Sequence, residues 1–218
     1  MNAPLFEETT NIIRDRVKSN LCLKRNNKNL HASSRADSQI FNSTLSEVKL
    51  KRICRTHHLE NVKTLELIID SNYVDFENLT DFLPSLINLI LDGSKIRSLR
   101  DIGACGIQNL TMLSAANCGI HDLDGFSIFP NLKEVRLSHN EIVDLTPLVL
   151  HECIENIDLS YNKIIHINAI EILGSCPNLR NIDIRSNPIV ADHNTIKPDI
   201  RQHIPQVCIF LIHLQVQS

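Results

Sequence analysis

Leu132-Lys-Glu-Val135-Arg-Leu137-Ser-His-Asn140-Glu-Ile142 decides how this chain folds, because the same phrase returns at a nearly fixed interval. Downstream it reads Ile154-Glu-Asn-Ile157-Asp-Leu159-Ser-Tyr-Asn162-Lys-Ile164 and Leu179-Arg-Asn-Ile182-Asp-Ile184-Arg-Ser-Asn187-Pro-Ile189. Upstream it reads Leu110-Thr-Met-Leu113-Ser-Ala115-Ala-Asn-Cys118-Gly-Ile120 and Leu86-Ile-Asn-Leu89-Ile-Leu91-Asp-Gly-Ser94-Lys-Ile96. The closing small polar residue falls at 94, 118, 140, 162 and 187, a period of 22 to 25 residues. Val135 and Leu137, two apart, send alternate side chains of a short strand inward, so Glu134, Arg136 and Ser138 point the other way. A unit this short cannot enclose its own apolar face. Copies must therefore stack, with parallel strands whose outward residues form one concave face.

The closing Asn140, Asn162 and Asn187 are expected to be structural. An amide at the turn can pair backbone groups that would otherwise be buried unsatisfied, at roughly 1–3 kcal/mol each. Cys118 and Ser94 are read as small substitutes. Weaker copies flank the array: Val62-Lys-Thr-Leu65-Glu-Leu67-Ile-Ile-Asp70 before it and Ile204-Pro-Gln-Val207-Cys-Ile209 after it. Ser46 to Leu59 has helical apolar spacing behind a Ser N-cap and predicts a short capping helix. Ile196 to His203, with Pro198 near its start, predicts a second cap. The pattern L-x-x-L-x-L-x-x-N/C-x-L is the leucine-rich repeat signature, and it predicts an α/β solenoid of short parallel strands capped at both ends. The expected layout is a disordered basic leader over 1–42, a capping helix over 43–61, repeats over 62–190, and a C-terminal cap with an atypical hydrophobic end over 191–218.

At 218 residues and 43% hydrophobic content, the chain can bury one continuous core. Residues 1–42 carry seven Lys/Arg against four Asp/Glu, and the remainder carries 15 against 21. A mildly acidic array argues against nucleic acid as the main ligand. The Asn-rich leader, centred on Lys24-Arg-Asn-Asn-Lys-Asn29, reads as a solvated segment, with weak contact to an acidic surface as the alternative. Seven cysteines without a C-x-x-C pair fit a reducing compartment. No secretory or transit pattern and no apolar run of membrane-spanning length is visible, so a soluble intracellular protein is expected.

Chemistry is sparse. His57, His58, His121, His139, His151, His166, His193 and His203 have no metal-ligand spacing with Cys or carboxylate partners. No catalytic or nucleotide-binding fingerprint occurs. Cys153 beside His151 invites a nucleophile-and-base reading, but it falls on the convex side without an activating cluster. Neither a cofactor, a metal nor a catalytic residue is therefore assigned. The candidate site is instead the concave face: Ile90, Asp92, Met112, Glu134, Arg136, Asn156, Asp158, Asn181, Asp183 and Arg185. Its first half is partly apolar, and its second half is charged and amide-rich. A protein partner would anchor on the former and be oriented by Glu134, Asp158 and Asp183. The alternative is that Arg136 and Arg185 merely neutralise the aspartates next to them, in pairs worth about 0–1 kcal/mol.

More specific phrases lie between the repeats: Leu91-Asp-Gly-Ser94-Lys-Ile96-Arg-Ser-Leu99-Arg-Asp101-Ile-Gly103, Asn117-Cys-Gly119-Ile-His-Asp-Leu123-Asp-Gly125, Pro130-Asn-Leu-Lys-Glu134 and Asp144-Leu-Thr-Pro147-Leu. With them the stretch from Leu45 to Val207 resembles the leucine-rich repeat-containing protein 56 family, a ciliary family. The resemblance implies a non-enzymatic role in building or transporting outer dynein arms. Intraflagellar transport or dynein-arm proteins would be the partners, with residence in cytoplasm and cilium or flagellum. It brings no catalytic residues. A phosphatase regulatory subunit of the short-repeat type would be expected to repeat aromatic and acidic anchors along the strands. Here Trp is absent and Tyr161 stands only at the edge. A spliceosomal repeat protein is the third reading, with an enzyme behind it. Family members usually run on into a long low-complexity tail. Here Cys208-Ile-Phe-Leu-Ile-His-Leu214 continues without a charge, which reads as a shortened product, an alternative transcript or an extra paired strand.

Overall fold

The computed structural model describes residues 45–72, 74, 79–96, 99–102, 107–149, 151–191 and 204–211. All of them lie in the unit Phe41–Ser218. Its elements run α1 (Glu47–Cys54), β1 (Thr64–Glu66), α2 (Leu79–Phe82), β2 (Asn88–Ile90), β3 (Met112–Ser114), β4 (Glu134–Arg136), β5 (Asn156–Asp158), α3 (Ile167–Glu171), β6 (Asn181–Asp183), α4 (Pro188–Ala191) and β7 (Ile209–Leu211). The strands form one parallel sheet in strict sequence order. Each strand meets the next without a slip, so Leu65, Leu89, Leu113, Val135, Ile157 and Ile182 stand level across the sheet. All six are buried and face the core, because a single-residue slip would turn the apolar set outward.

The return path of most repeats is a single turn. Short 3-10 turns occupy Leu99–Ile102, Phe126–Ile128 and Thr146–Leu148, and α3 passes into another at Ile172–Ser175. Phe126 and Phe129 are the largest fully buried side chains among the described residues.

α1 begins after Ser46, which has the extended backbone of an N-cap but makes no side-chain cap bond. Leu45 and Leu50 are buried and cover the apolar end of the array. Arg55 turns the chain out in the left-handed conformation, φ 52°. At the other end, Ile209–Leu211 pairs with β6, so an extra paired strand is present there. The leader over 1–42 and the helix expected at Ile196–His203 lie outside the described residues.

The closing residues form a ladder between repeats. The Asn140 side-chain oxygen accepts the Cys118 and Ile120 amides at 3.0 and 3.1 Å. Its Nδ2 donates to the carbonyls of Ala115 and Leu137 at 2.8 and 2.9 Å. Asn162 and Asn187 repeat this one unit further on, donating to Leu137 and Leu159 at 2.8 Å each. Cys118 Sγ donates to Leu91 O at 3.0 Å, and the Ser94 hydroxyl accepts the Ile69 amide at 3.0 Å. The residue before each closing position is left-handed: Gly93 (φ 76°), Asn117 (54°), His139 (58°), Tyr161 (57°) and Ser186 (57°). Only the first of these escapes the Cβ penalty of that region.

Candidate interaction face

Three outward positions per repeat make three rows across the sheet. The first row runs Thr64, Asn88, Met112, Glu134, Asn156, Asn181, and the second Glu66, Ile90, Ser114, Arg136, Asp158, Asp183. A third row, one step beyond the strands, holds Ile68, Asp92, Ala116, Ser138, Ser160 and Arg185. All ten residues singled out from the sequence therefore share one side of the sheet.

Their side chains differ in what they leave free. Arg136 is paired with Glu134 on its own strand, Nε to Oε1 at 2.7 Å. Arg185 grips Asp183 at 3.0 Å through Nε and 2.6 Å through Nη2. That bond raises the Arg185 pKa, and the Asp183 side chain is only 2% exposed. The Asn181 amide donates to the Asn156 oxygen, and that of Asn88 to the Thr64 hydroxyl at 3.0 Å. Asp92 Oδ1 accepts Ser114 Oγ at 2.7 Å and the Ala116 amide at 2.9 Å. Asp158 Oδ1 accepts Ser160 Oγ at 2.7 Å and the Ser160 amide at 2.9 Å. Burial, with some repulsion from Asp183, still holds the Asp158 carboxyl above its usual range. The second half of the face is thus largely closed on itself, while Ile68 in the first half is 49% exposed.

A feature not read from the sequence stands at the exit edge of the strands. The rings of His139 and Tyr161 stack at 4.1 Å and 10°. Both occupy the left-handed position before a closing Asn, and their 22-residue separation was the available signal.

The other suspected chemistry is not assembled. His151 Nε2 is bonded to Phe129 O at 2.9 Å and Nδ1 has no partner, so Cys153 receives no base. Burial pushes the Cys118 thiol up to about 12 and raises that of Cys176, leaving both unreactive. Among the described residues, no three His, Cys, Asp or Glu gather as a metal site. No described helix is long and apolar enough to cross a membrane.

A family model for leucine-rich repeats in two copies matches residues 108–149. Leucine-rich repeat-containing protein 56 of Homo sapiens is 34% identical over 184 residues, covering 79% of this chain. The protein of the same name in Mus musculus is 36% identical over 155 residues, or 71% of the chain. The repeat region is homologous to leucine-rich repeat-containing protein 56. The chain spans 34% of the human relative's length and 27% of the mouse relative's. An internalin (inlF) crystal structure from Listeria monocytogenes superposes with a TM-score of 0.54 at 19% identity. It covers 70% of this chain and 41% of the internalin chain, and it shares the fold alone. Sheets of this architecture are typically protein-interaction scaffolds.

Proposed function

We propose that this chain is a non-enzymatic adaptor that binds protein partners on its strand face during assembly or intraflagellar transport of outer dynein arms. It would work in the cytoplasm and in motile cilia or flagella, without cofactor or nucleic acid. What supports the reading is the homology to leucine-rich repeat-containing protein 56 over 79% of the chain. The open, partly apolar face of β1 to β3 supports it too. The test is affinity capture of the tagged 218-residue chain from cells growing motile cilia, with co-purified proteins identified by mass spectrometry. Outer-arm or intraflagellar transport components should be recovered, and an Ile90→Glu variant, changed on the face alone, should lose them. Recovery of a phosphatase or a splicing particle in their place would remove the ciliary reading.

A further inference from the structure

The register places three apolar side chains on a diagonal. Ile90 is level with Glu66 on β1, and Met112 is level with Asn88 on β2. Ile68, two residues beyond Glu66, continues the line. At strand spacings of about 4.8 Å and two-residue steps of about 6.7 Å, the stripe is about 17 Å long, roughly three turns of a helix. Ile68 is 49% exposed and the other two are half-buried. Acids flank the stripe, with Glu66 on one side and Asp92 on the other.

Charge then selects the occupant. Glu134 and Asp183 on this face are matched by Arg136 and Arg185. Glu66, Asp92 and Asp158 have no ion pair among the described residues, and no lysine occurs in the three rows. Lys63 and Lys133 stand one position before the strands, at the entry edge, and Lys133 is paired with Glu155. Of these acids, Glu66 and Asp92 flank the apolar stripe, while Asp158 lies on β5 and is bonded to Ser160.

We infer that the first half of the strand face takes a partner segment whose side chains are apolar and basic. This rests on the adaptor reading and adds the chemistry of what is bound. The apolar side chains cover Ile68, Ile90 and Met112, and lysines or arginines meet Glu66 and Asp92. Desolvated contacts at the stripe supply the affinity, and the charges set orientation and reject acidic sequences.

The test is direct binding of synthetic peptides to the 218-residue chain by fluorescence anisotropy. Three sets share one apolar pattern and differ in whether the remaining positions are basic, acidic or uncharged, each made in helical and extended versions. The basic set should bind, and more weakly as salt rises. Glu66→Gln and Ile68→Ser should each weaken binding about fivefold or more, with unfolding midpoints close to the parent chain. Glu141→Gln, off the face, should leave binding unchanged. Equal or tighter binding of the acidic or uncharged set, indifference to both face variants, or no binding by any set would overturn the inference. Failure here with dynein-arm proteins still recovered from extracts would leave the adaptor reading standing. Basic peptides binding while extracts yield a phosphatase would do the reverse.

Discussion

His151 is enclosed at 8% exposure, edge-on to Phe126 with ring centroids 5.0 Å apart. Because Phe129 O can only accept, Nε2 carries the proton and Nδ1 is a buried acceptor with no partner. Protonating Nδ1 would place a charged donor where nothing receives it. Burial accordingly lowers the His151 pKa below its usual 6.5, against a smaller opposing effect of the Phe129 bond. With the folded-state pKa depressed, the unfolded chain takes the proton first. Stability is then fully present above about pH 6.5 and falls as pH drops toward the folded value. Urea midpoints measured from about pH 8 to about pH 5.5 should show this decline, and His151→Phe should flatten it. A parallel decline in both proteins would place the titrating group elsewhere. The sequence offered little warning, since a histidine beside a cysteine reads as surface or catalytic until the return turn is seen to roll it inward. Arg136 was equally opaque. It lies level with Asp158 across the sheet yet pairs with Glu134 on its own strand, a choice made by rotamer and not by spacing.

At the scale of one repeat against the next, Asn140 and Cys118 occupy the same position with different means. The amide serves two amides and two carbonyls, whereas the thiol donates weakly to Leu91 O at 3.0 Å. Asn140→Ala strands several buried backbone groups at once and should cost about 3 kcal/mol in urea unfolding. Cys118→Ala should cost about 1 kcal/mol, mostly for the lost volume. Equal costs would mean that water enters the turn and replaces the amide. This level was the most legible in the sequence, because an Asn every 22 to 25 residues after an alternating apolar run has few other physical explanations. The return turns were not legible. A three-residue 3-10 turn such as Phe126–Ile128 is too short to carry a period.

Across the whole array each strand touches only its sequence neighbours, so stability is a sum of units and junctions. Interior repeats are held from both sides, and the first from one side and α1. Hydrogen exchange read by mass spectrometry should find the amides of β3 to β5 at least about tenfold more protected than those of β1, and fraying should start from the ends. Uniform protection would mean that the described repeats open as one body. The solenoid class was readable because its evidence is repetition. The face was readable as a list of positions but not as a surface with one open half, since cross-strand pairings such as Asn181 with Asn156 exist only once the strands are level.

The ladder of closing residues has a further meaning for how such a chain changes size. Each closing asparagine completes the turn of the unit before it and shares a carbonyl of its own unit with the next closing asparagine, as Leu137 O is shared by Asn140 and Asn162 and Leu159 O by Asn162 and Asn187. Growth or loss is therefore quantised. A duplicated or excised stretch of one full period rejoins every donor to an acceptor, whatever its outward residues, while a fractional one leaves a seam of unanswered backbone in the core. Outward residues are free to diversify for new partners inside a frame that counts only in whole repeats.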